Sequence, residues 1–220
     1  MPGLSEGLVY VDEHLIVLDK PAGLLAVPGR GEDKQDCLSA RAQALWPDAL
    51  VVHRLDMATS GLFLMGRGVH VQRVLGRAFA EQRVDKQYEA VVAGHVAQET
   101  GVIDLPLAAD WPNRPLQKVD AEHGKPSTTR WRVLAREDDC TRLALEPVTG
   151  RTHQLRVHLR EIGHPILGDA LYAPQPVRAR AARLLLHAQR LALAHPVTGE
   201  PLSFASPAPF QRNSAGPATV

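Results

Sequence analysis

The sequence predicts an α+β fold built on a mainly antiparallel mixed sheet with flanking helices. Three observations predict it. Strand-like runs outnumber helical ones, many are joined by short polar turns, and no βαβ alternation recurs along the chain. No internal repeat or low-complexity linker divides the 220 residues, so one domain over residues 1–210 is the expectation. The small polar stretch 211–220 reads as a disordered tail.

Each element follows from local pattern. Leu8 and Tyr10, then Leu15 to Leu18, flank Asp12-Glu13-His14 and read as a hairpin closed by Lys20-Pro21-Ala22-Gly23. Pro28, Gly29 and Gly31 make residues 24–35 a loop, and residues 37–46 a helix stopped by Pro47. Leu62 to Met65 reads as a strand. Val71, Val74, Leu75, Ala78 and Phe79 share one face of a helix over 69–83. Tyr88 to Val92 is a strand ended by Gly94, and residues 102–147 are strand-like and broken by polar turns. A second helix spans roughly Thr152 to Ile162, apolar at Leu155, Leu159 and Ile162, with His153, Arg156 and Arg160 together on another side and Gly163 as its stop. Leu184 to Leu193 and Leu202 to Phe204 form a closing hairpin around Pro196-Val197-Thr198-Gly199.

Composition narrows the function only a little. A net charge of +1 argues against coating nucleic acid by bulk charge, but residues 150–190 hold seven arginines against two acids, so a polyanion could bind locally there. Cys37 and Cys140 stand apart with no CxxC pair, which argues against a zinc cage and fits a reducing, cytoplasmic setting. No signal peptide opens the chain, and no apolar run is long enough to cross a membrane. The histidines invite a metal reading, but none forms HExxH and His153 and His158 face different sides of their helix; structural hydrogen bonding suits them better.

The segment His53 to Leu62, HRLDMATSGL, carries the chemistry. Alone, Asp56 reads as a turn cap, Tyr88 as a core aromatic with a satisfied hydroxyl, and Arg156 as a surface charge on its helix. Together with three further segments the reading changes. KQYEAVVAG stands at Lys86 to Gly94, PVTGRTHQLRVH at Pro147 to His158 running on to GHPILGD and Tyr172, and LLLHA at Leu184 to Ala188. In this order the four segments resemble the RluA family of pseudouridine synthases over about residues 8–210.

The resemblance implies the pseudouridine synthase fold with a central RNA-binding cleft. It implies that Asp56 is the catalytic aspartate, that Arg156 pairs with it, and that Tyr88 lies against the uracil ring and serves proton transfer at C5. Arg54 would enter the RNA stack where the target base leaves, and Leu185 would pack against that base. His53, Thr59, Arg114 and Arg151 join Arg54 and Leu185 as expected RNA contacts. Uridine and pseudouridine are isomers, so no redox cofactor or external energy source is required, and the resemblance implies that no metal is used. The base must detach, turn and rejoin inside a pocket closed to water, with a carboxylate at the ribose–base junction as nucleophile or base.

The first predicted hairpin starts almost at once, leaving no room for the small RNA-binding domain that many relatives carry ahead of the catalytic one. That feature, with Asp110-Trp111-Pro112-Asn113-Arg114-Pro115 and Gln117-Lys118-Val119, resembles the short RluA type. The resemblance implies action on uridine 32 of the tRNA anticodon stem-loop and on a 23S rRNA hairpin, and a monomer is the expectation. Three alternatives stay open: a relative with another RNA substrate, a binding module that kept the fold without the chemistry, and a carboxylate glycosidase, which would want a second carboxylate at a defined separation.

Overall fold

The structure, a computed structural model, describes residues 7–210. The expected tail, 211–220, lies outside the described residues. Strands β1 (Leu8–Val11) and β2 (Leu15–Lys20) form the first hairpin. Asp12 closes it: its carboxylate accepts from the backbone N–H groups of His14 and Leu15. Helix α1 (Leu38–Leu45) follows the long loop, capped by the Cys37 sulfur. Then come β3 (Ala49–Val51), β4 (Ser60–Arg67), α2 (Gly68–Ala80) and β5 (Asp85–Ala93). The middle of the chain supplies β6 (Thr100–Asp104), the small hairpin β7 (Leu107–Ala109) and β8 (Gln117–Val119), and the long pair β9 (Thr128–Glu137) and β10 (Cys140–Pro147). Helix α3 (Gln154–Glu161), a single turn α4 (Gln175–Arg178), β11 (Leu186–Ala194) and β12 (Pro201–Ala205) complete the order.

Ten strands make one sheet, with the path β1-β2-β4-β11-β5-β10-β9-β6; β3 pairs with β4, and β12 with β11. Every pairing is antiparallel except β4 with β11, so the sheet is mixed as the sequence predicts. That parallel contact is short, His187 beside Ser60 and Ala188 beside Gly61. It depends on glycine: Gly61 has φ +108, and a Cβ there would stand 2.3 Å from the Ala188 carbonyl oxygen.

Strand alternation divides β4 between two helices. Leu62 and Leu64 bury against α2 through Val71, Leu75 and Ala78, while Phe63 and Met65 bury against α1 through Leu38 and Ala42. Farther along the sheet, α3 lays Leu155 and Leu159 onto Ala90, Leu143, Leu145 and Leu186. These are the apolar positions expected of that helix. Among the described residues no helix is long and apolar enough to cross a membrane. Between the α2 end of the sheet and α3 the surface opens into a cleft of about 410 Å³.

Candidate functional site

Three elements converge on the cleft: the loop between β3 and β4 brings Asp56, the middle of β5 brings Tyr88, and the first turn of α3 brings Arg156. The Asp56 loop is held rigidly. The Thr59 N–H donates to the Asp56 carbonyl at 3.1 Å, and the Met57 carbonyl accepts from the Gly23 N–H at 2.8 Å and from the Lys20 ammonium at 3.0 Å. Lys20 is fully buried and also donates to the Pro21 and Leu24 carbonyls; burial pulls its pKa down to about 8.

The Asp56 carboxylate is 18% exposed, open to the cleft on one side. Its Oδ2 lies 3.2 Å from Arg156 Nη1 and 3.7 Å from His153 Nε2. Arg156 is buried and shared between two carboxylates. Its Nε and Nη2 donate to the buried Asp169 at 2.8 and 2.7 Å, leaving Nη1 for Asp56. Asp169 Oδ1 also accepts from the Leu171 and Tyr172 backbone N–H groups. The guanidinium lies 5.0 Å over the Tyr172 ring. The expected pairing of Arg156 with Asp56 is therefore present, but the bidentate grip belongs to Asp169.

Tyr88 packs its ring against two parts of the core, and among the described residues no hydrogen bond engages its hydroxyl. Burial, reinforced by the Asp56 charge, pushes the phenol up, so it stays protonated. Opposite, Gln154 ties the loop before α3 in place. Its amide oxygen accepts from the Thr149 hydroxyl and the Arg151 N–H, and its amide nitrogen donates to the Thr128 carbonyl.

The remaining expected contacts divide. Arg54, Arg151 and Thr59 all line the cleft, the two arginines exposed and the threonine buried. His53 also lines the cleft, but its ring is committed to the fold: Nε2 accepts from the Leu64 N–H at 2.9 Å and the ring stacks on Phe79. Burial pushes it down to about 3, so it contributes a neutral wall and no charge for phosphate. Leu185 requires correction. Its neighbour Leu186 lines the cleft, whereas Leu185 packs toward Val91, Cys140 and Leu167. Arg114 is also absent from the cleft lining; it lies on the β7–β8 hairpin with its guanidinium 4.7 Å over the exposed Trp111 ring.

Sequence reasoning missed Asp169, Tyr172 and the placement of His153. The first two stand in the quoted segment that ends in GHPILGD and Tyr172, but nothing local assigns them a role. His153, expected to serve structural hydrogen bonds, does bond Tyr172, yet it also faces Asp56. Among the described residues lining the cleft no acid accompanies Asp56, as a glycosidase would want; nearby Asp169 is 1% exposed and its oxygens are taken by Arg156 and two backbone amides.

Comparison with known proteins gives the family. Residues 14–161 match the RNA pseudouridylate synthase family. The chain is 50% identical over 204 residues to the dual-specificity RNA pseudouridine synthase RluA of Yersinia pestis, covering 92% of this chain and 99% of the relative. It is 49% identical to the Escherichia coli (strain K12) protein of the same name, with 92% and 93% covered. Among solved structures, human RNA pseudouridylate synthase domain containing 1 superposes with a TM-score of 0.79 at 29% identity, covering 96% of this chain and 87% of that one.

Proposed function

The chain belongs to the RNA pseudouridylate synthase family, isomerases that convert uridine to pseudouridine in RNA, and we propose that Asp56 is the carboxylate that performs the isomerisation here. The observation that carries this reading is the meeting of Asp56, Arg156 and Tyr88 in one cleft, with the Asp56 carboxylate partly exposed there. The C1′–N1 bond breaks, the C1′–C5 bond forms, and the proton on C5 leaves as one is gained at N1. Asp56 acts at the sugar–base junction as nucleophile or base. Arg156 Nη1 holds the carboxylate in place, and the Tyr88 ring supports the uracil with its protonated hydroxyl near C5.

A target uridine must leave its stack to enter, at a cost of a few kcal/mol that is least in a loop. The exposed Arg54 in the cleft lining is the side chain suited to fill the gap by stacking, with Arg151, exposed in the same lining, for phosphate. Leu186 takes over the base-packing role expected of Leu185. The RNAs proposed are the tRNA anticodon stem-loop and a 23S rRNA hairpin, on the strength of relatives named as dual-specificity synthases. Residues 1–210 working as one catalytic domain, as a monomer, fit a site whose proposed residues all come from a single chain. The two free, buried cysteines suit the reducing cytoplasm.

The test is release of label from uridine C5, with the anticodon and ribosomal hairpins offered separately, wild type beside Asp56→Ala. Release from both hairpins by the wild type and from neither by the variant is expected. Undiminished release by Asp56→Ala would refute the catalytic assignment, and release from one hairpin alone would refute dual specificity.

A further inference from the structure

His153 is held in a way that its place in the helix does not require. It is the N-cap of α3, yet its backbone is left-handed, φ 55 and ψ 15, a conformation rare for a residue with a Cβ. Its side chain gives α3 no capping hydrogen bond. The ring instead bridges two parts of the molecule: Nδ1 is 2.6 Å from the Tyr172 hydroxyl, and Nε2 is 3.7 Å from Asp56 Oδ2.

The direction of these bonds follows from the far end. The Gln117 backbone N–H, at the start of β8, donates to the Tyr172 hydroxyl oxygen at 2.8 Å. A hydroxyl that accepts there sends its own proton to the remaining partner, which is His153 Nδ1. A neutral imidazole accepting at Nδ1 carries its proton on Nε2, and Nε2 faces the carboxylate. We propose that the Gln117–Tyr172 pair fixes His153 as the neutral Nε2–H tautomer, and that His153 is thereby a positioning residue for Asp56, supplying a second donor beside Arg156.

The groups around His153 favour this state. Burial drives it toward the neutral form; Arg156 and Arg54 oppose a further positive charge, while Asp56 and Asp169 pull the other way. Tyr172 is itself buried and seats the β7–β8 hairpin against α3 through Leu107, Leu116 and Val157. Arg160 lies over the same ring. A neutral N–H orients Asp56 without neutralising it, and a 3.7 Å separation leaves room to close when a nucleotide fills the cleft.

The proposal rests on Asp56 as the reacting carboxylate, and the experiment separates the two. Protein labelled with ¹⁵N-histidine should show His153 as the Nε2–H tautomer at neutral pH. Tyr172→Phe, which keeps the ring and removes the proton donor, should lower the single-turnover rate roughly tenfold, less than the loss of a donor in direct contact. RNA affinity should hold, and the acid limb of the pH–rate profile should move to higher pH, because Nδ1 becomes easier to protonate. His153→Gln, which offers a non-titrating N–H of similar reach, should retain most of the rate and lack that limb; His153→Ala should not recover the rate. An Nδ1–H tautomer in the wild type, a wild-type rate and pH profile in Tyr172→Phe, or equal rates for the Gln and Ala variants would overturn the proposal. Asp56→Ala run alongside locates any failure: if it stays active the underlying reading falls, and if it is inactive only the relay does.

Discussion

Replacing Asp169 by asparagine tests the ion-pair network behind the cleft. Its carboxylate accepts four hydrogen bonds, from Arg156 Nε and Nη2 and from the Leu171 and Tyr172 amides. Asparagine is nearly the same shape. Its one oxygen can keep the two backbone amides at the Oδ1 position, but its NH₂ then faces Arg156 Nε, donor against donor, and the negative charge is gone. Asp169 is 1% and Arg156 4% exposed, so water cannot substitute. Breaking a buried pair by removing one partner costs about 3–5 kcal/mol. Arg156 keeps Asp56 as a partner here, which sets the expected loss near the low end, about 3 kcal/mol.

For a chain of this length about 2–4 °C of melting temperature goes with each kcal/mol, so the variant should melt roughly 6–12 °C lower by circular dichroism. At a temperature where it is still folded, its single-turnover rate should fall while hairpin binding persists, because Arg156 is released to take Asp56 in the bidentate grip that Asp169 now occupies. A melting point within about 2 °C of wild type together with an unchanged rate would show that Asp169 does not anchor Arg156, and the account of the site would fail.

Arg54→Ala should slow turnover mainly on hairpins whose target uridine is stably stacked; equal loss on an unstructured RNA would reject the gap-filling role in favour of plain phosphate contact. Tyr88→Phe should stop the reaction after the base detaches, seen as RNA consumed without pseudouridine; a wild-type yield would remove the hydroxyl from proton transfer while leaving the stacking role. Acid should unfold the protein early. Burial lowers the pKa of His53, His158 and His187, so the unfolded chain takes up protons near pH 6.5 that the fold does not accept. Stability present above that pH is then lost as pH falls, by up to about 1.4 kcal/mol per unit for each histidine, and for His53 this continues down to its folded value of about 3. Urea midpoints that are level between about pH 7.5 and 5.5 would contradict this.

Much of this arrangement is legible in the sequence where the governing interaction is local. The first hairpin, α1, α2 and α3 follow from turn residues and helical spacing, and Asp56, Tyr88 and Arg156 follow from four family segments in order. What escaped is non-local or lacks a period. The parallel contact of β4 with β11 joins residues 127 positions apart, which no local alternation signals. Leu184, Leu185 and Leu186 are identical, so the sequence cannot phase them, and only strand pairing turns Leu186 toward the cleft. The single turn α4, capped by Pro174, is too short for a helical pattern. Asp169 meets Arg156 across a helix end and a turn, and an aspartate after a glycine reads as turn chemistry first.

The unequal sharing of Arg156 has a chemical consequence. On the proposal that Asp56 acts at the sugar–base junction, its carboxylate needs an oxygen free to move toward it, and a bidentate arginine would lock both. By tying Nε and Nη2 to the buried Asp169, the fold fixes the guanidinium while offering Asp56 one longer bond, 3.2 Å against 2.7 and 2.8 Å. Positioning comes from Asp169 and Tyr172, and freedom is left to Asp56. An equal division would give a firmer ion pair and leave Asp56 less free to act as proposed. The same reasoning fits the role proposed for the left-handed His153, which would add direction at Asp56 without a second full charge.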